Sequence, residues 1–99
     1  MAELSEIARR NGVQMIEDAS QAAGASINGV RTGAFGDIAA FSLHPNKSFS
    51  ALGDGGVITT NDAAAAKFLR VARNHGLDEG RCLFWSHNSR LDELQASFL

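Results

Sequence analysis

Residues 38–60, IAAFSLHPNKSFSALGDGGVITT, contain two apolar runs separated by a loop that is rich in glycine and polar side chains. The run from Ile38 to Leu43 predicts a buried strand, and the run from Val57 to Thr60 predicts another. Residues 44–56 hold one proline and three glycines, so this segment is predicted to be mostly irregular. The stretch therefore predicts two strands joined by a long loop that carries a lysine, Lys47.

Helical patterns lie on both sides of these strands. Residues 2–10 predict an amphipathic helix that ends at Asn11-Gly12, and residues 62–73 predict a second helix capped by Asn61. Between the first helix and residue 38, the run from Val13 to Ile16 predicts a short buried strand. Helices mixed with short apolar strands predict an α/β fold, with a sheet on which helices pack.

The remaining segments carry weaker signals. Asn28-Gly29 predicts a turn between two short strands, whereas residues 77–88 are predicted to form a loop. Ser89 and Asp92 have the spacing of a capping box, which predicts a last helix with its apolar stripe on the residues Leu91, Leu94 and Phe98.

Both ends of the chain are interpreted as interruptions of longer elements. No residue precedes Met1 to cap the first helix, and the last helical pattern stops at Leu99 without a C-cap. Fraying of the terminal turns is the alternative explanation. The single domain expected over residues 1–99 is therefore a partial one.

The composition of this 99-residue chain, with 44% hydrophobic and 20% charged residues, is typical of a globular protein. A net charge of -2 without a basic patch argues against binding nucleic acid through phosphate contacts. No apolar run reaches the ~20 residues that span a membrane. Glu3 and Glu6 argue against a signal peptide, and the single Cys82 excludes an internal disulfide, so a cytoplasmic location is expected.

The first candidate site follows the first apolar run, where Glu17 and Asp18 precede Gln21. A carboxylate just past a buried strand could hold a cationic ring nitrogen or the ribose hydroxyls of a dinucleotide. A nucleotide-binding module is therefore one hypothesis. From composition alone, however, the favoured role of Asp18 is to cap the next helix.

The second candidate is the segment from Ser42 to Lys47. Because burial lowers the pKa of an ammonium group and frees its nucleophilic amine, a lysine directly after a buried strand is a candidate Schiff-base residue. Most lysines are merely solvated, and that alternative stays open for Lys47. The third candidate, Gly53-Asp54-Gly55-Gly56, suits either a phosphate cradle or a hairpin turn, and the P-loop pattern is absent.

Metal and thiol chemistry have little support in the sequence. His44, His75 and His87 lack the spacing of a helical zinc pair and have no cysteine partners nearby. Cys82 has no base or orienting group placed around it by the sequence.

Taken together, the motifs closely resemble the DegT/DnrJ/StrS family of sugar aminotransferases, which depend on pyridoxal phosphate (PLP). The resemblance covers nearly the whole chain in order, through the segments Ile16–Ala25, Gly33–Ser42, His44–Lys47, Gly53–Gly56, Thr60–Asp62, Arg73–Gly76 and Asn88–Ala96. It implies the middle of the large domain of a fold type I PLP-dependent transferase, a mixed sheet flanked by helices. Relatives are several times longer, so the small C-terminal domain and part of the cofactor's surroundings are expected outside these residues.

The resemblance also implies roles for five residues. Lys47 would carry PLP and shuttle a proton at the substrate carbon, and Asp18 would pair with the protonated pyridine nitrogen. Gln21 would lie against the ring or its phenolic oxygen, Ser42 would donate to the phosphate, and Asn88 would reach the phosphate in the site of the neighbouring subunit of a homodimer.

The lysine favours one reaction within this family, because relatives that deoxygenate sugars have histidine at its position. The implied reaction moves an amino group, usually from glutamate, to a keto carbon of a nucleotide-linked deoxysugar. Asn46 departs from the residues usual before this lysine. The alternative from another class is an inactive, truncated remnant that at most contacts a partner subunit.

Overall fold

The structure is a computed structural model that describes all residues from Met1 to Leu99. Three helices and seven strands occur in the order α1 (Ala2–Asn11), β1 (Ile16–Asp18), β2 (Ser26–Ile27), β3 (Val30–Arg31), β4 (Ile38–Ser42), β5 (Gly56–Thr60), α2 (Ala63–Ala72), β6 (Leu77–Asp78), β7 (Arg81–Cys82) and α3 (Glu93–Ala96). None of the helices is both long and apolar enough to cross a membrane.

The central sheet has three strands in the order β1-β4-β5. β1 runs parallel to β4, with Asp18 opposite Ala40, and β4 runs antiparallel to β5, with Ser42 opposite Gly56. The sheet is therefore mixed, and the strands predicted at Ile38–Leu43 and Val57–Thr60 are confirmed to within one residue.

The strand predicted at Val13–Ile16 is wrong by three residues. The ladder with β4 begins only at Ile16, because Met15 is bonded instead to Asp37. The Met15 amide donates to the Asp37 carboxylate at 2.7 Å, and the Asp37 amide donates to the Met15 carbonyl at 2.9 Å. The apolar run thus leads into the strand, and its last residue, Ile16, is 74% exposed.

Alternation along the strands separates two faces of the sheet. Glu17 shares one face with Ala39 and Phe41, and this face continues into Leu43, which is fully buried. Asp18, Ala40 and Ser42 occupy the opposite face.

Glu17 is the one charged residue that is buried, and both of its carboxylate oxygens accept backbone hydrogen bonds. One oxygen accepts from the Gly33 amide at 2.9 Å and the other from the Phe35 amide at 3.2 Å. Two donors offset the cost of burying the carboxylate. Glu17 thereby ties β1 to the loop that leads into β4.

Two hairpins lie outside the sheet. Asn28 and Gly29 both have positive φ, 51° and 80°, and form the predicted turn between β2 and β3. The loop predicted over residues 77–88 is wrong in part, because β6 and β7 pair there around Glu79 and Gly80. The Glu79-Gly80 pair is a weaker turn signal than Asn28-Gly29, so this second hairpin was missed from sequence.

Helix α2 is present as predicted, but its cap is Asp62 rather than Asn61. The Asp62 carboxylate accepts from the amides of Ala64 and Ala65 at 2.7 and 3.3 Å. In this helix Ala65, Leu69 and Ala72 are half-buried, and Phe68 is exposed but stacks on Phe84 with 5.2 Å between ring centroids. The one buried residue of this helix is Val71.

The expected capping box of the last helix does not form. Asp92 occupies the N-cap of α3 without a side-chain bond, and the Ser89 amide donates to the Arg73 carbonyl instead. Leu94 and Phe98, from the expected stripe, are 80% and 65% exposed. At the other end of the chain, α1 ends at Gly12 in the left-handed conformation, as predicted.

Candidate functional site

The carboxyl ends of β1 and β4 meet at one edge of the sheet. Asp18 ends β1 and lies opposite Ala40, while Ser42 ends β4 two residues further along on the same face. Parallel strands commonly present ligand-binding side chains at this edge. Asp18 and Ser42 are therefore held on one face by the register of the sheet.

The Asp18 carboxylate is exposed and anionic. It accepts a hydrogen bond from the Ser20 amide at 3.0 Å. The Ser20 side chain, and then the Ser20 amide, lower the pKa of Asp18. Desolvation raises this pKa, and the positive charge of Lys47 lowers it by a smaller amount, so the hydrogen bonds from Ser20 dominate.

Lys47 is held by a short, internally bonded turn that begins at Ser42. The Ser42 hydroxyl oxygen accepts from the His44 amide at 3.3 Å, and the His44 carbonyl accepts from the Lys47 amide at 2.9 Å. Because the hydroxyl oxygen serves as an acceptor here, its proton remains free to be donated to a ligand. Ser42 and Lys47 are therefore fixed relative to each other by the backbone.

The glycine-rich segment closes this turn. The Leu43 amide donates to the Gly55 carbonyl at 2.8 Å, and Gly56 is the first residue of β5. Of the two interpretations of Gly53–Gly56, the structure supports the turn between strands. Its one charged side chain, Asp54, lies 4.0 Å from the His44 imidazole.

Gln21 and Asn88 have different relations to this group. Gln21 is exposed in the turn that follows β1, and its side chain makes no hydrogen bond. Asn88 lies beside Asn74 in an isolated bridge, and its side-chain oxygen accepts from the amide and guanidinium of Arg90 at 3.2 and 3.1 Å. No hydrogen bond joins Asn88 to the group formed by Asp18, Ser42 and Lys47.

The sequence did not reveal the structural roles of two residues near this site, Glu17 and His44. Glu17 was grouped with Asp18, although the alternation of β1 sends the two side chains to opposite faces. His44 was considered only as a metal ligand, although its ring accepts a bond within the lysine turn. Its position three residues before Lys47 was the available signal.

The structure shows the surroundings of the possible metal ligands and of the cysteine thiol. No group of three or more histidine, cysteine or acidic side chains is arranged to hold a metal ion, and Cys82 is a free, exposed thiol. An apolar groove of about 250 Å³ lies between the β2–β3 hairpin and the face of the sheet that carries Phe41 and Val57. That face is opposite to Asp18 and Ser42.

Two curated relatives are similar over the whole chain. One is a UDP-N-acetyl-3-dehydro-alpha-D-glucosamine 3-aminotransferase from Acidithiobacillus ferrooxidans, 43% identical, with 100% of this chain and 27% of the relative covered. The other is a dTDP-3-amino-3,4,6-trideoxy-alpha-D-glucose transaminase from Micromonospora megalomicea, 45% identical, with the same two coverages. The chain thus spans about a quarter of the length of these relatives.

The fold is also that of a solved aminotransferase. The structure of DesV from S. venezuelae, in complex with a ketimine intermediate, superposes with a TM-score of 0.89 at 44% identity, covering 96% of this chain and 26% of DesV. The sequence profile of the DegT/DnrJ/EryC1/StrS aminotransferase family matches residues 1–99. With the mixed sheet and the ordered motifs, this match makes the chain a member of the DegT/DnrJ/EryC1/StrS aminotransferase family.

Proposed function

We propose that this chain is the central part of the PLP-binding large domain of an aminotransferase that acts on a nucleotide-linked deoxysugar. The amino group would come from glutamate and be transferred to a keto carbon of the sugar. The observation that carries the proposal is the placement of Asp18 and Ser42 on one face at one edge of the sheet, with Lys47 in the turn that Ser42 begins. The names of the two relatives, which specify UDP- and dTDP-linked sugars, support the substrate class.

The chemistry of these side chains fits PLP. An exposed carboxylate with a lowered pKa matches a cationic pyridine nitrogen, and a hydroxyl with a free proton matches a phosphate oxygen. Lys47 follows Ser42 in the turn that Ser42 begins, and its charge slightly lowers the pKa of Asp18. When bound, PLP supplies an electron sink for the carbon that loses a proton.

Four side chains of this chain then have defined roles toward the cofactor. Asp18 keeps the ring nitrogen protonated, and Ser42 donates to the phosphate. Lys47 holds the cofactor through its ε-amine and moves a proton at the substrate carbon. Gln21, in the turn beyond β1, lies against the ring.

The proposal extends to a second subunit and to the cellular location. The amide nitrogen of Asn88 donates no hydrogen bond within the chain, while its oxygen is occupied by Arg90. Asn88 is exposed, so this nitrogen is available to the phosphate in the site of a neighbouring subunit. We propose that the intact protein, the polypeptide that carries this chain, is a cytoplasmic homodimer.

Reductive trapping tests the role of Lys47. The chain contains two lysines, Lys47 and Lys67, and Lys67 is exposed on α2. Borohydride treatment of the intact protein with PLP is expected to attach the cofactor to Lys47, as located by peptide mass spectrometry. Lys47→Ala should abolish amino-sugar formation, whereas the control Lys67→Ala should retain it. Specific trapping on Lys67 would refute the assignment.

A further inference from the structure

The imidazole of His44 connects the lysine turn to the glycine-rich segment. Its Nδ1 accepts a hydrogen bond from the Asn46 amide at 3.2 Å. Its Nε2 lies 4.0 Å from a carboxylate oxygen of Asp54, beyond direct hydrogen-bond distance. The side chain thus makes its one hydrogen bond to the residue immediately before Lys47.

We propose that His44 is a positioning residue for Lys47, acting as a neutral imidazole that carries its proton on Nε2. A nitrogen that accepts a hydrogen bond cannot also carry a proton, so the bond from Asn46 fixes the tautomer. The acidic side chain beside Nε2 is that of Asp54, with a carboxylate oxygen 4.0 Å away. The importance of this position for catalysis rests on the function proposed above.

The turn depends on this acceptor because it has few other bonds. His44 contributes its amide to Ser42, its carbonyl to Lys47 and its ring to Asn46, so one residue fixes three points of the turn. Loss of the ring acceptor leaves the Asn46 amide to water and frees the peptide that precedes Lys47. Small displacements of a reacting group are costly, because reaction requires near-attack geometry.

This role also assigns a task to residues that the proposed mechanism leaves unused. The departure from the family pattern at position 46 leaves the backbone donor in place, and it is the Asn46 amide rather than its side chain that the turn uses. The Asp54 side chain is exposed, and the adjacent Gly55 carbonyl accepts a hydrogen bond from the Leu43 amide. The glycine-rich segment therefore packs next to the residue that orients Lys47.

Two variants of His44 in the intact protein separate positioning from general packing. His44→Asn retains an acceptor that can bond to the amide two residues on, whereas His44→Leu removes the acceptor and keeps an apolar side chain. His75→Asn is the matched control, because the His75 ring makes no hydrogen bond and its φ of 57° suits asparagine.

The first measurement is amide hydrogen exchange over residues 43–48, with the rate of PLP capture on Lys47 measured in parallel by borohydride trapping. His44→Leu is expected to raise the exchange rate by about threefold to tenfold and to slow capture by a similar factor, while His44→Asn restores both. The control should match wild type. Wild-type exchange and capture in His44→Leu, or no rescue by His44→Asn, would overturn the inference.

The second measurement needs no variant. Nitrogen NMR of histidine-labelled protein at mildly alkaline pH should show His44 with Nε2 protonated and Nδ1 bare. The opposite tautomer would overturn the inference even if His44→Leu failed to fold. Absence of any cofactor on Lys47 in the wild type would instead refute the proposed function. The tautomer and the hydrogen-exchange rates would still test whether His44 holds the turn.

Discussion

Asp18 and Glu17 are consecutive carboxylates with opposite environments, and the difference arises from a single strand. Glu17 is buried and accepts two backbone amides, whereas Asp18 is exposed beside Ser20 and Lys47. Sequence alone placed both in one polar group, since the direction of each side chain depends on the register of β1 with β4. That register is a tertiary property, so the sequence could identify the pair but not divide its roles.

Replacing Asp18 with Asn tests the exposed carboxylate. The change keeps the shape but removes the charge that holds a ring nitrogen protonated, so PLP affinity is expected to fall roughly tenfold to a hundredfold. Turnover should fall as well, because the electron sink weakens. Titration of the intact protein with PLP measures the affinity, and Asp92→Asn, at an exposed N-cap without a side-chain bond, is the control. Near-normal turnover of Asp18→Asn would remove Asp18 from the site.

The pH dependence has a definite sign. Because the folded-state pKa of Asp18 is lowered, its carboxylate stays ionised down through the range where an ordinary aspartate becomes protonated. Its contribution to stability and to cofactor binding is present above the unfolded pKa and is lost as pH falls through the lowered folded value. Spectroscopic PLP titrations should therefore show no loss of affinity from Asp18 near neutral pH. A loss that Asp18→Asn abolishes in that range would contradict the lowered pKa.

At the scale of elements, sequence patterns located most helices and strands but missed boundaries decided by side-chain bonds. The strand at β1 begins later than its apolar run because Asp37 binds Met15, and α2 is capped by Asp62 because that side chain reaches two amides. The hairpin of β6 and β7 was missed because Glu79 and Gly80 carry no strong turn signal. The lysine loop between β4 and β5 was predicted well, since proline and glycine mark it directly.

Glu17→Gln tests the connection between β1 and the loop before β4. Glutamine has one acceptor oxygen, so one of the amides of Gly33 and Phe35 loses its partner and faces an NH₂ group. The free energy of unfolding is expected to fall by about 1–3 kcal/mol. Urea denaturation of the intact protein measures it, with the exposed Glu93→Gln as control. Equal stability of the two variants would mean that the buried bonds contribute nothing net.

The whole molecule is open for its size. Its accessible surface is 7392 Å², whereas a compact monomer of this mass would expose ~5,400 Å². The chain measures 41 × 32 × 16 Å and has one large side chain that is fully buried, Leu43. Apolar side chains such as Ile16, Trp85 and Leu94 are at least 74% exposed. Packing within residues 1–99 therefore leaves much of the apolar surface of these strands and helices exposed.

We predict that residues 1–99 expressed alone form no active transaminase and self-associate through exposed apolar side chains and strand edges. Purified chain, supplied with PLP, glutamate and a keto-sugar nucleotide, should yield no stereospecific amino sugar. Light scattering should detect species larger than a monomer. A soluble monomer with stereospecific turnover would contradict the expected self-association through exposed apolar surface. It would also contradict the proposed contribution of Asn88 to a neighbouring site.

The candidate site draws its residues from β1 and from the end of β4, so a bound ligand should affect how easily β1 detaches from the sheet. Ser42 ends β4, and Lys47 lies in the loop that joins the antiparallel strands β4 and β5, but Asp18 lies on β1, a three-residue edge strand. Short edge strands open at lower free-energy cost than the rest of a fold. A ligand that contacts Asp18 and Lys47 together binds only while β1 is docked, so it stabilises the docked strand by mass action. Trypsin cleavage at Arg31, beyond β1, should therefore slow as PLP saturates the intact protein.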